Sequence, residues 1–161
     1  MTVLIISDSF LPEGNAAAVC MSELQKYYDE VGIETMIATS AEGDLDLGIK
    51  HLKKILQLPN KWKRSNRLVL RAFSELFCAI IIGILFRFCT ERKKIERVIV
   101  YSPSIFWGVT LKVMNVNPEK VSLVVRDIFP LWLSHAGILQ KSSLPFKILN
   151  MIAKLQFKRS A

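Results

Sequence analysis

Apolar and polar positions alternate along the chain in blocks that read as buried strands joined by amphipathic helices. Val3-Leu4-Ile5-Ile6 is an unbroken apolar run, as expected of a strand covered on both faces in a parallel sheet. Ser7-Asp8-Ser9 ends it with polar groups, and Pro12, Gly14 and Asn15 make a loop. Asn15 stands where a helix N-cap is wanted. The helix that follows is expected to turn Ala17, Cys20, Leu24, Tyr28 and Val31 inward and Glu23, Lys26 and Glu30 outward. Gly32 falls at its C-cap, and Thr35 to Thr39 reads as the next strand.

Beyond Thr39 the chain turns polar and acidic, as a loop should. Ile49 to Leu58 fits two patterns, a short strand at Ile49–Leu52 or a helical face through Leu52, Ile55 and Leu56. We read a short strand followed by irregular structure that ends at Pro59. A long helix is expected from about Asn66 to Thr90. Its segment Leu76–Phe86 carries no charge, but Glu75 and Arg87 bracket a run well short of the ~20 apolar residues of a membrane span. A helix buried between sheet and neighbours is therefore expected, with Phe73, Phe77, Phe86 and Phe88 in the core. A membrane-associating segment is the alternative. Val98–Tyr101 is a further strand, followed by Ser102-Pro103-Ser104 and a short helix, Phe106–Val116, in which Gly108 allows close packing. Val121–Val125 is another strand, ended by Arg126-Asp127. Leu131–Ala136 makes a helical turn stopped at Gly137. Ser142–Arg159 reads as a last amphipathic helix with Ile148, Ile152 and Leu155 inward. Strands alternating with helices imply an α/β fold with a Rossmann-like, doubly wound parallel sheet. By length, residues 1–161 form one domain. A Rossmann-like sheet should continue with a further strand, so the chain reads as cut short.

Composition narrows the partners. With 51% hydrophobic residues, disorder is excluded, and the net charge of +8 favours nucleic acid, nucleotide phosphates or an acidic membrane surface. Residues 1–6 lack a charged leader region, so a cytoplasmic setting is expected. Cys20, Cys78 and Cys89 are odd in number and widely spaced, which points to buried thiols and away from a disulfide framework or zinc site. Lys61, Trp62, Lys63, Arg64, Arg67 and Arg71 precede the apolar helix, and Arg92, Lys93 and Lys94 follow it. These groups suit anionic headgroups or pyrophosphate, or form a solvated basic rim.

In open α/β sheets, ligands lie outside the carboxyl ends of the strands, against helix N-termini. Those ends offer Ser7, Asp8, Thr39, Ser40, Ser102, Ser104, Arg126 and Asp127, and the first loop adds Glu13, Gly14 and Asn15. Hydroxyls, amides and an Arg/Asp pair suit a sugar or a phosphate, and an arginine can grip phosphate through two parallel bonds. The competing reading is that Arg126 and Asp127 pair with each other or cap the next helix. Gly14-Asn15-Ala16 holds too few glycines for a dinucleotide fingerprint, and there is no Walker A motif. His51 and His135 lack any metal-ligand context. His135 either reaches the crevice as a donor or base or sits on the surface. Trp62, Trp107 and Trp132 lie in loops and short helices where aromatics that bind an acceptor are found.

Leu4–Leu24, with FLPEGNAAAVCMSEL after a short apolar strand, resembles the opening of glycosyltransferase family 4. So do VIVYSPSIFWG, VSLVVRDIFPLWLSHAGIL and the closing LNMIAKLQFKRSA. The nearest group builds bacterial O-antigen, colanic-acid-like and capsular polysaccharides. The resemblance spans nearly the whole chain, is weakest from Ala41 to Asn66, and is most specific at RDIFP. It implies the N-terminal, acceptor-side half of a GT-B fold in a retaining enzyme, with a nucleotide-sugar donor and no required metal or other cofactor. The donor-binding half with its E-x7-E motif would lie beyond Ala161. The resemblance carries the donor-phosphate and acceptor role of the first loop to Gly14 and Asn15, and the acceptor-lining role of RDIFP to Arg126 and Asp127. Family members often have an acidic residue where His135 stands. It further implies a lipid-linked, polyprenyl-pyrophosphate glycan as acceptor and peripheral contact with the inner face of an anionic membrane. Two other classes compete. A stand-alone flavodoxin-like binding or regulatory module should close its sheet with a final strand. A nucleic-acid-binding domain should concentrate its cations on a reading helix or groove, which this sequence does not do.

Overall fold

The apolar runs assemble into one all-parallel sheet in the computed structural model, which describes residues 1–11, 13–40, 54–57, 68–102 and 104–160. Its strands are β1 (Thr2–Ser7), β2 (Glu34–Thr39), β3 (Lys54–Gln57), β4 (Ile95–Ser102) and β5 (Val121–Val125), in the order β3-β2-β1-β4-β5. This is the order of the first five strands of a Rossmann sheet, and it differs from the 2-1-3-4-5 order of flavodoxin-like folds. The helices are α1 (Ala16–Glu30), α2 (Leu68–Phe88), α3 (Trp107–Met114), α4 (Leu131–His135) and α5 (Leu144–Lys158).

Successive strand residues face opposite sides, and this builds two cores. Val3, Ile5, Ile37 and Tyr101 pack under α1 with Phe10, Ala17 and Met21. Leu4, Ile6, Met36, Ala38, Val98 and Val100 pack on the other face under α2, α3 and α5. Two glycines set how closely these three helices stack. A Cβ on Gly83 of α2 would lie 2.8 Å from Val113 Cβ, and one on Gly108 of α3 would lie 2.6 Å from the Gln156 backbone of α5. The close packing expected at Gly108 is thus present. Thr110 also donates to the Ala79 carbonyl at 2.8 Å, bonding α3 to α2.

The local signals behave as expected at α1. The Asn15 side chain accepts from the Ala18 amide at 2.8 Å, and Gly32 follows the helix at φ 76°. Beyond β5 the chain turns at Asp127 and enters α4, and Gly137 ends that turn at φ 71°.

Several expectations are corrected. The buried stripe of α1 runs through Ala17, Ala18, Met21 and Gln25, while Cys20 and Val31 are exposed. The small Ala17 and Ala18 let the helix approach the sheet and turn Cys20 outward. Cys78 is buried but Cys89 is half-buried, so the thiols are not uniformly internal. In α2, Phe86 is core, whereas Phe73, Phe77 and Phe88 are exposed. A helix apolar all round offers no phase to say which stripe meets the sheet. In α5 the buried residues are Phe146, Ala153 and Gln156, with Ile148 turned outward. The third strand is Lys54–Gln57, where irregular structure was expected, because Ile55 and Leu56 pair with Ile37 and Ala38. The strand reading of Ile49–Leu52 lies outside the described residues.

Candidate functional site

Strand order reverses at β1, with β2 and β3 to one side and β4 and β5 to the other. The carboxyl ends at this switch point frame the crevice where ligands bind in such sheets. Register brings polar ends level there: Ser7 stands between Thr39 and Tyr101, and Ser102 stands beside Val125.

One wall is the loop from β1 to α1. Ser7 is fully buried, its hydroxyl donating to the Ser9 carbonyl at 2.8 Å and accepting from the Ser9 amide at 3.2 Å. Asn15 donates to Ser9 Oγ at 3.2 Å and to Glu13 Oε2 at 3.0 Å while its oxygen caps α1. Its amide is therefore fully engaged in holding the loop. Gly14 is exposed, and a Cβ there would meet nothing within 4 Å. The Gly14 backbone is open to an incoming group. Next to this wall, Thr39 is 1% exposed, and its hydroxyl has no hydrogen-bond partner among the described residues.

The second wall follows β4. Ser102 and Ser104 are both buried. Ser104 donates to Glu75 Oε2 of α2 at 2.9 Å, and Arg71 Nε donates to the other Glu75 oxygen at 2.9 Å. The carboxylate thus links Arg71, half exposed at the start of α2, to the strand end. Glu75 also adds to the desolvation that pushes the Cys78 thiol up from its ordinary value, burial being the larger cause. From the far side, the Gln156 amide of α5 is assigned with its nitrogen toward the Ser104 and Ile105 carbonyls, at 3.0 and 2.7 Å, the orientation that satisfies both.

The third group follows β5. Arg126 and Asp127 are exposed, and among the described residues neither side chain has a hydrogen-bond or ion partner. They do not pair with each other, and the N-cap of α4 is Pro130 without a side-chain cap. Trp132 is 46% exposed and meets the Phe129 ring edge-on at 6.2 Å. His135 lies exposed three residues further on, the spacing that puts two side chains on one helix face. A guanidinium and an indole left open to solvent can take an anion and stack on a sugar face.

The structure therefore brings Glu13, Gly14, Asn15, Ser102 and Ser104 to the two walls of the switch point. Arg126, Asp127, Trp132 and His135 follow the neighbouring strand end. Trp107 is a correction: it is 2% exposed in the α2–α3 core, because a tryptophan in the first turn of a helix lying on the sheet points inward. Lys61, Trp62, Lys63, Arg64 and Arg67 lie outside the described residues. Glu75 and Gln156 escaped the sequence reading. Arg71 and Glu75 four residues apart gave a faint signal, whereas a lone glutamine in an amphipathic helix gives none. Among the described residues, no group of three His, Cys, Asp or Glu could hold a metal ion. No protein-family model, no curated protein and no solved structure matches the chain.

Proposed function

We propose that the chain is the acceptor-side domain of a retaining glycosyltransferase of GT-B architecture. It receives a polyprenyl-pyrophosphate-linked glycan at the inner face of the cytoplasmic membrane, and a second, donor-binding domain supplies the nucleotide-sugar. The observation that carries this reading is the exposed pair of Arg126 and Trp132, a guanidinium and an aromatic face that follow the strand end next to the switch point. Arg126 binds phosphate oxygens in charge-assisted bonds, Trp132 stacks on the acceptor sugar, and the Gly14 backbone admits the reacting groups. Within this domain the residues bind and orient, and bond exchange belongs to the two-domain enzyme. No metal or other cofactor enters the proposal.

The test is titration of the purified chain with a polyprenyl-pyrophosphate-linked monosaccharide in detergent micelles. Arg126→Ala is expected to weaken binding roughly tenfold to a hundredfold, the range for losing charge-assisted hydrogen bonds. Trp132→Ala should weaken it for the glycosylated ligand and not for polyprenyl pyrophosphate alone. Equal affinity of wild type and Arg126→Ala would remove the reading.

A further inference from the structure

The end of the sheet at the amino termini of β4 and β5, away from the switch-point ends, carries a second basic feature. Where α2 ends, a cavity of about 450 Å³ opens between Arg87, Arg92, Lys93 and Lys120, with Val98 and Met114 among its apolar lining. Among the described residues no carboxylate lines it. Arg87 donates to the Val113 carbonyl at 2.9 Å and Arg92 to the Asn115 carbonyl at 3.4 Å, so neutral backbone acceptors hold both guanidiniums. Among the described residues none of the four cations forms a salt bridge. Concentrated, uncompensated positive charge of this kind attracts an anion.

An independent observation lies along the helix that leads to this cavity. Leu70, Phe73, Phe77, Ile84, Leu85 and Phe88 of α2 are all exposed, the three phenylalanines by 67%, 64% and 78%. At 100° per residue they share one side of the helix, and the stripe ends at Phe88, next to Arg87 of the cavity. An 18-residue window within Val69–Phe88 has mean hydropathy 2.2, so despite Glu75 and Arg87 the helix is long and apolar enough to cross a bilayer, contrary to the expectation from its charge-free segment alone. However, its opposite stripe, including Cys78, Ala79 and Ile82, is buried against the sheet and α3. A helix fixed on a sheet by one stripe can meet a membrane only with the other, lying along the interface.

We propose that the outer stripe of α2 lies in the surface of an anionic bilayer while the Arg87–Arg92–Lys93–Lys120 cavity receives a lipid phosphate. The occupant follows from charge complementarity. A chain of net charge +8 that presents apolar rings beside four cations with no carboxylate partner among the described residues matches acyl chains beside phosphates, and a neutral protein helix would leave those cations unmatched. The proposal shares the membrane setting of the proposed function but none of its sugar chemistry, and vesicles without any glycan separate the two.

The experiment is co-sedimentation of the purified chain with vesicles of phosphatidylcholine alone or mixed with phosphatidylglycerol. Binding is expected only to the mixed vesicles. Each cation near such a surface is worth about fivefold, so Lys93→Gln/Lys120→Gln should weaken binding about 25-fold. Lys147→Gln/Lys154→Gln removes the same charge from α5, away from the cavity, and should leave binding within about twofold, as screening limits distant charges. Phe73→Ser/Phe77→Ser should weaken binding at unchanged charge, with circular dichroism confirming that each variant is folded. The proposal is overturned by absent vesicle binding, by equal binding to neutral vesicles, by equal losses from the two lysine pairs, or by an unaffected phenylalanine variant.

Discussion

Replacing Gly108 by alanine tests how the site's second wall is held. A Cβ at this position would lie 2.6 Å from the Cα and the backbone nitrogen of Gln156, and 2.8 Å from its Cβ. No rotamer change moves a backbone atom, and ordinary carbon contacts begin at about 3.5 Å, so α5 must retreat by about 1 Å. Overpacking of this kind costs about 1–3 kcal/mol. The same retreat stretches the bonds from the Gln156 amide to the Ser104 and Ile105 carbonyls, now 3.0 and 2.7 Å, each worth about 1 kcal/mol. The better helix propensity of alanine returns at most about 1 kcal/mol. The expected net loss is about 2–3 kcal/mol, or a melting point lower by about 5–10 °C for a chain of this size. Urea and thermal unfolding followed by circular dichroism measure it. A double-mutant cycle with Gln156→Ala should show the pair to be less than additive by about 1 kcal/mol, because the glutamine's bonds can be lost only once. If Gly108→Ala unfolds within about 0.5 kcal/mol of wild type, the spread typical of neutral substitutions, then α5 does not brace the loop after β4.

Other outcomes follow from single groups. Asn15→Ala removes the cap on the Ala18 amide and should cost about 1 kcal/mol, whereas Asn15→Ser retains a capping oxygen and should stay within about 0.5 kcal/mol in the same unfolding assay. Glu75→Gln leaves Arg71 without its carboxylate and should remove the coulombic part of the rise at Cys78, read as a thiol that titrates at lower pH than in wild type. An aromatic disulfide reagent should modify the exposed Cys20 quickly and the buried Cys78 only on unfolding. Because folding raises the Cys78 value above its ordinary 9.0, the folded state holds that proton more tightly than the unfolded chain. The favourable contribution is therefore complete below pH 9.0 and is lost as pH rises from there through the folded value. Cys78→Ala should lack this component of alkaline destabilisation.

The two kinds of periodicity explain what the chain disclosed in advance. Val3–Ile6 is a continuous apolar run and Val121–Val125 is one broken only by Ser122, and both form strands of the parallel sheet. Asn15, Gly32 and Gly137 are local signals whose meaning does not depend on the rest of the fold, and each stands where the chain turns. α2 disclosed its length but not its facing, since a helix apolar on every side has no hydrophobic phase. The sequence alone therefore places Phe73 and Phe77 inward, whereas the core contacts of the helix fall on Cys78, Ala79 and Ile82. The bonds joining Ser104 to Glu75 and the Ser104 loop to Gln156 cross between elements far apart in sequence. No spacing rule encodes a contact that exists only after three helices have stacked on one sheet face.

The measurement that tests the proposed crevice most directly is amide chemical-shift mapping of the isotope-labelled chain during titration with a polyprenyl-pyrophosphate-linked monosaccharide. We expect the largest changes at Gly14 and Asn15 in the first loop, at Ser104 after β4 and at Arg126 after β5, with the Arg126→Ala variant suppressing them. Changes confined to Asn115, Asn117 and Lys120 at the opposite end of the strands, or none at saturating ligand, would contradict the account.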